Sequence, residues 1–189
     1  MNKAELRKKY KKLRLELSEE KIEELSLEIA NNSLNSPIWD ASFYHLFLSI
    51  AEQKEVETEF LLHILQGKDK NIVLSKTDIQ NNRLVHFLLT DNTIIKKNRW
   101  NIPEPDAGIP IPTEQIEVVF VPLLAFDERG HRIGYGKGFY DGFLKECKPN
   151  VIKIGLSFFN AEPEITEIFS SDIPLDYCVT PSKVYNFTK

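Results

Sequence analysis

An α/β domain with a largely parallel sheet is the fold the sequence predicts, and three observations lead to it. Short apolar runs at residues 43–50, 71–74, 84–89, 118–121 and 151–156 alternate with segments of helical period, the pattern of strands joined by helical crossovers. One of these runs opens into a glycine-rich basic turn that is followed at once by an amphipathic segment, the strand–turn–helix order of α/β binding folds. The 189 residues contain no repeat, linker or low-complexity stretch, which suits a single domain over residues 1–189 with a sizeable core.

Taken in order, Asn2 is placed to cap a first helix, with Glu5 three residues on to complete a capping box. Leu6, Tyr10, Leu13 and Leu17 recur at helical spacing, while Lys8, Lys9, Lys11, Lys12 and Arg14 fill other faces. Ser18 ahead of Glu19 and Glu20 starts a second helix with Ile22, Leu25 and Ile29 as its apolar stripe, and Asn35-Ser36-Pro37 ends it. A buried strand over residues 43–50 follows, then a helix over residues 58–66 closed by Gly67. Strands at 71–74 and 84–89 come next. Pro103, Pro105, Pro110 and Pro112 make residues 101–112 an extended loop, because proline neither donates to a ladder nor continues a helix. Beyond the glycine turn a helix runs to about Cys147, a strand covers 151–156, and a last short strand centres on Tyr177-Cys178-Val179.

Composition limits what such a domain does. A formal net charge of −4 gives no general attraction for nucleic acid, so none is expected as a partner, and an anionic ligand must be held by a local cluster of cations. No apolar run reaches membrane-spanning length, and the opening MNKAELRKKYKKLR has no signal-peptide core. A membrane partner is therefore not expected, and the expected location is the cytoplasm. Cys147 and Cys178 lack metal-ligand spacing and read as reduced thiols. None of the four histidines sits with Cys or Asp at triad or zinc spacing, so no chemistry is assigned to them. The sequence does not set oligomeric state, and a monomer is the default expectation.

The chemistry concentrates in VPLLAFDERGHRIGYGKGFYDGFL, residues 121–144, where Gly130, Gly134, Gly136 and Gly138 are interleaved with Arg129, His131, Arg132 and Lys137. A strand feeding such a turn, with a helix behind it, aims backbone N–H groups and cations at one point, which suits a phosphate. Lys137 is followed by Gly138 rather than Ser or Thr, so this is no P-loop, and Phe139 stands where a dinucleotide fingerprint needs glycine. Elsewhere two readings stay open at each position. Lys3 and Arg7, one turn apart, either face water or reach phosphates. The acids among residues 52–57 either complement a helix dipole or bind a ligand at a strand's end. Trp100 either packs a loop or stacks on a planar ligand. Asp141, Asp172 and Asp176 are either surface charges or Mg²⁺ ligands.

The 121–144 segment resembles the signature of the 5-formyltetrahydrofolate cyclo-ligase family, and the resemblance extends over nearly the whole chain. Lys3-Ala4-Glu5-Leu6-Arg7 is similar to the family's opening K-x-x-L-R, Glu55-Val56-Glu57-Thr58 to its acidic element, Trp100-Asn101-Ile102-Pro103-Glu104-Pro105 to its W-x-I-P-E-P loop, and residues 172–180 to its closing D-x-x-x-D segment. The resemblance implies a three-layer α/β fold akin to the sugar-isomerase and CoA-transferase group. It implies ATP- and Mg²⁺-dependent closure of 5-formyltetrahydrofolate to 5,10-methenyltetrahydrofolate, with release of ADP and phosphate. It further implies that Lys3, Ala4, Glu5, Leu6 and Arg7, with Arg132, Ile133, Gly134, Tyr135, Gly136, Lys137, Gly138, Phe139 and Tyr140, contact ATP. Lys137 and Arg132 would be catalytic, Ile50, Glu55, Trp100 and Tyr140 would hold the folate, and Asp141 and Asp176 would hold the metal. Tyr135 stands where some members carry Arg, which leaves the phosphate charge to Arg132 and Lys137. Two other readings remain for the same residues. One is a binding module that keeps the anion loop without catalysis, and the other is a sugar-phosphate isomerase, for which no acid/base residue can be nominated.

Overall fold

The structure, a computed structural model, describes residues 1–188. Its centre is a seven-stranded sheet in the order β11-β10-β9-β6-β1-β2-β3. The strands are β1 (Phe43–His45), β2 (Asn71–Asp78), β3 (Arg83–Leu88), β6 (Val118–Pro122), β9 (Ile152–Leu156), β10 (Tyr177–Val179) and β11 (Val184–Asn186). The five middle strands run parallel, and an antiparallel partner closes each edge, β3 on β2 and β11 on β10. The mostly parallel α/β sheet expected from the alternation of apolar runs is therefore the one observed. Val118, Val119, Phe120 and Val121 are all fully buried, as a central parallel strand covered on both faces must be.

Four helices flank the sheet: α1 (Lys3–Leu15), α2 (Glu19–Ser33), α3 (Glu59–Gly67) and α4 (Phe139–Glu146). The capping box read at α1 is present, with the Asn2 side chain accepting from the Glu5 N–H and the Glu5 side chain from the Asn2 N–H. Ile22 and Ile29 of α2 and Leu61 and Leu65 of α3 join Tyr44, Phe120 and Ile154 in one core. Across the sheet, Phe143 and Leu144 of α4 pack with Val73, Val119 and Val121 in a second. α1 lies apart from both, its Leu6 and Tyr10 seated on Leu124, Ala125, Ile133 and Ile165.

The differences from expectation have local causes. Only residues 43–45 of the 43–50 run pair as strand; beyond them the apolar Leu46, Phe47, Leu48 and Ile50 line a cavity. β2 runs on to Asp78 because Ser75, Lys76 and Thr77 pair antiparallel with β3. The proline-rich loop contains β5 (Pro103–Pro105), paired with β4 (Ile95–Lys97) as an isolated two-stranded edge, where missing proline donors are tolerated. A small hairpin, β7 (Ala125–Phe126) with β8 (Arg132–Ile133), stands between β6 and the glycine turn, and β11 was not anticipated.

Candidate active site

A cavity of about 520 Å³ opens at the carboxyl ends of β1, β2 and β6, where His45, Ser75, Thr77 and Pro122 line it. This is where ligands collect in parallel α/β sheets. A shallower groove of about 590 Å³ continues from it and shares Lys3, Arg7, Gly136, Gly138, Asp141 and Asp172. Two segments far apart in sequence meet there. α1 brings its N-terminal cations, and residues 134–138 bring the glycine turn.

The contact between them is close because one residue lacks a side chain. Arg7 Nε donates to the Gly134 carbonyl at 3.0 Å. A Cβ on Gly136 would lie 3.3 Å from the Arg7 guanidinium carbon, and its φ of +91° belongs to the left-handed region. Glycine is thus needed there for both backbone conformation and approach. Gly138, at φ +74°, is the N-cap of α4. Lys137 is exposed and carries its ammonium 3.9 Å from the centre of the Trp100 ring, which also stacks near the Arg99 guanidinium at 4.5 Å. Trp100 therefore lines the cavity with an aromatic face turned to cations.

Two acids hold the rim. Asp141 Oδ1 accepts from Arg132 Nη2 at 2.7 Å and from the Ile173 N–H at 3.1 Å, and Arg132 also donates to the Ile173 carbonyl. Lys3 Nζ meets Asp172 Oδ2 at 2.5 Å, beneath the exposed ring of Phe169 at 4.1 Å. Burial works to raise the Asp172 carboxyl, but the Lys3 ammonium and the Phe169 N–H outweigh it and hold it below the ordinary value.

At the inner end sits Glu55, buried in a polar clasp. Its Oε2 accepts from the Ile50 N–H at 2.8 Å and its Oε1 from the Tyr135 hydroxyl at 2.7 Å. Burial raises the Glu55 carboxyl, opposed by that N–H, by the nearby Arg14 charge and by the phenol. Ile50 and Tyr140 share the cavity wall with it. On the floor, His45 Nε2 lies 2.6 Å from Ser75 Oγ, and Ser75 Oγ lies 2.8 Å from His86 Nδ1. Burial pushes both imidazoles down, His86 to about 4, and the two also repel each other's charge at His45.

A profile of the 5-formyltetrahydrofolate cyclo-ligase family matches residues 1–174. The chain belongs to that family. Its fold superimposes with a TM-score of 0.85 on a 5,10-methenyltetrahydrofolate synthetase from Aquifex aeolicus, at 30% identity over all of this chain and 94% of that one. It is 26% identical over 178 residues to the 5-formyltetrahydrofolate cyclo-ligase of Haemophilus influenzae, covering 90% of this chain and 93% of that protein. It is 34% identical over 109 residues to the mouse 5-formyltetrahydrofolate cyclo-ligase, a match that spans 54% of this chain and about half, 53%, of the mouse protein.

Set on this cyclo-ligase frame, most of the residues singled out in the sequence converge and some do not. Lys3, Arg7, Ile50, Glu55, Trp100, Arg132, Gly134 to Tyr140 and Asp141 line the cavity, and Ala4 lines the groove. Glu5 is occupied in capping α1, while Leu6 and Ile133 are buried side chains of one apolar cluster. Asp176 is outside both spaces, paired with Lys153 at 2.7 Å. Of the two acids that the closing segment offered as metal ligands, Asp172 is the one that borders both spaces. Arg132 is tied to the Asp141 carboxylate and the Ile173 carbonyl. Among the described residues no group of three or more His, Cys, Asp or Glu forms a metal cluster, no helix is long and apolar enough to cross a membrane, and both cysteines are free. Arg14, Ser75 and the buried histidines were missed. Arg14 had a signal, since it follows Arg7 by seven residues on the same helical face; the histidines, on separate strands, had none.

Proposed function

We propose that the protein closes 5-formyltetrahydrofolate to 5,10-methenyltetrahydrofolate at the expense of ATP. The observation that carries this reading is the convergence on one cavity of a cationic phosphate cradle, built from Arg7 and residues 134–138 with their Lys137, with an aromatic pocket closed at its inner end by an acid, built from Glu55, Ile50, Trp100 and Tyr140. One end suits a triphosphate and the other a pterin whose edge donates hydrogen bonds.

The formyl group on N5 is a poor electrophile because the nitrogen lone pair is delocalised into its carbonyl. Attack of the formyl oxygen on the γ-phosphorus breaks the bond to ADP and leaves the oxygen phosphorylated. N10 then attacks the formyl carbon and gives up its proton to water or to the departing phosphate, and the C–O bond breaks with release of phosphate, leaving the methenyl bridge as an amidinium cation. The step asks for alignment and charge stabilisation rather than a covalent nucleophile. Lys137 is the exposed cation that stabilises charge developing on the transferred phosphoryl group, and Arg7 fixes the phosphate chain against the turn. Glu55 holds the pterin edge, so that the formyl oxygen faces the γ-phosphate.

The residues fit a hard cation of the kind that phosphoryl transfer uses. Asp141 keeps Oδ2 clear of the two contacts made by Oδ1, and Asp172 borders the same space. One or two carboxylates completed by phosphate oxygens and water is how Mg²⁺ is ordinarily held. Bound there, Mg²⁺ would neutralise phosphate charge. Mixing protein, ATP, Mg²⁺ and 5-formyltetrahydrofolate tests the reading. Methenyltetrahydrofolate absorbance should rise with one ADP formed per folate, and cyclisation with a non-hydrolysable ATP analogue would overturn it.

A further inference from the structure

Arg14 is a guanidinium with almost no contact with solvent, 4% exposed, and it does not line the cavity. Arginine stays charged in proteins, and a buried unpaired cation is strongly destabilising, so an anion must answer it. Arg14 Nη2 donates to the Leu123 carbonyl, and Nη1 donates at 2.8 Å to the Tyr135 hydroxyl, which donates in turn at 2.7 Å to Glu55 Oε1. The answering anion is therefore one phenol away. We infer that Arg14 is a positioning residue: acting through Tyr135, it holds the Glu55 carboxylate ionised and aimed, and so sets the affinity of the pocket for the donor edge of the pterin.

The direction of the chain supports this. A tyrosine hydroxyl has one proton. With Arg14 supplying a donor to its oxygen, that proton is committed to Glu55, which fixes the carboxylate as acceptor. Each carboxylate oxygen then has one protein partner, Ile50 N–H or Tyr135 O–H, and a second lone pair for a ligand. A protonated Glu55 would present an O–H to the N3–H and 2-amino donors of a pterin and lose one of the two bonds. Burial favours that protonated form, and Arg14 opposes it. The other groups on this side do not replace Arg14. Lys11 of α1 is exposed, with its ammonium 5.6 Å from the Tyr135 ring centre. Tyr140 of α4 is kept protonated by burial and by the Glu55 charge. Tyrosine at 135 is thus no loss of phosphate charge but the connector between Arg14 and Glu55.

This inference rests on the reading of Glu55 as the pterin partner, and the test separates the two. Michaelis constants for folate and ATP would be measured between about pH 6 and pH 8.5 for the wild type, Tyr135→Phe, Arg14→Met, Arg14→Lys and Glu55→Gln. Tyr135→Phe should raise the folate KM roughly tenfold or more, as loss of a hydrogen bond to a buried charge does, with little change in the ATP KM. In Arg14→Met the folate KM should climb steeply as pH falls, where the wild type is flatter, and Arg14→Lys should recover part of the difference. Tyr135→Phe alone carries the test if Arg14→Met does not fold, through the same steeper pH profile. Wild-type pH profiles in both variants, or equal rises in the two Michaelis constants, would overturn the inference. If Glu55→Gln leaves the folate KM unchanged, the reading of Glu55 itself falls.

Discussion

Lys137 is the side chain whose removal separates transition-state from ground-state roles most cleanly. Among the described residues it makes a cation–π contact with Trp100 and no ion pair, which on the proposed mechanism leaves its charge for the transferred phosphoryl group. Lys137→Ala should lower kcat by roughly 10²–10³, as loss of one strong transition-state donor does; a weaker KM for ATP with unchanged kcat would place it in ground-state binding. Arg7 and Lys9 give a paired comparison on one helix. Arg7 donates to the glycine turn, whereas Lys9 pairs outside the cavity with Glu162. Arg7→Ala should weaken ATP binding by roughly tenfold or more, since guanidinium geometry matches phosphate oxygens, and Lys9→Ala should leave an ATP titration unchanged. Equal effects would reduce α1 to a charged surface. Asp141→Asn should raise the Mg²⁺ concentration needed for half-maximal rate, because a carboxylate is the better ligand for a hard cation; a wild-type Mg²⁺ titration would remove Asp141 from the metal's neighbourhood.

At the scale of elements, β9 is held to its surroundings by the absence of one methyl group. A Cβ on Gly155 would stand 2.6 Å from Leu123 Cδ2, 2.7 Å from Leu175 Cδ1 and 3.1 Å from Cys178 Sγ, in the middle of the sheet. Gly155→Ala should therefore destabilise the fold by about 1–3 kcal/mol through overpacking, read as a lower denaturant midpoint with an unchanged m-value. Elements with one dominant local signal were legible in the sequence: the caps of α1 and α2, the apolar stripe of α2, and the valine-rich β6. Those shaped by tertiary pairing were not. Leu46, Phe47, Leu48 and Ile50 carry the apolarity of a strand but wall a cavity, and β4 with β5 forms in spite of its prolines because it is an edge. In the site, the glycine turn was legible because glycine density is a local property. The Arg14–Tyr135–Glu55 chain was not, because it joins residues up to 121 positions apart.

The whole molecule has a pH response set by its buried bases. His45 and His86 sit on β1 and β3 with Ser75 of β2 between them, and burial keeps both neutral in the folded state. Below about pH 6.5 the unfolded chain takes up protons that the folded chain refuses, so stability falls with acidification. The loss for His86 continues to the region of its folded value, about 4. Between about pH 7 and pH 5 His86 alone should remove on the order of 2 kcal/mol, and His45 acts in the same direction. Glu55 and Glu57, whose carboxyls are raised by burial, act in the opposite direction. Chemical denaturation at the two pH values should show the fall, and the double variant His45→Asn/His86→Gln should flatten it. A slope untouched by that variant would mean that other groups govern the acid limb.

The ties that seat α1 over the cavity reach far down the chain. Arg14 bonds Leu123, Arg7 bonds Gly134 and Lys3 bonds Asp172, at separations of 109, 127 and 169 residues. During translation at roughly 5–20 residues per second, α1 is made about 5–35 s before these partners exist. For that interval Leu6 and Tyr10, later covered by Leu124, Ile133 and Ile165, have no native neighbours to shield them. The growing polypeptide therefore leaves these apolar side chains uncovered on a strongly basic helix until the segments around Leu124 to Ile165 have been made, and the last of the ties, Lys3 to Asp172, closes later still.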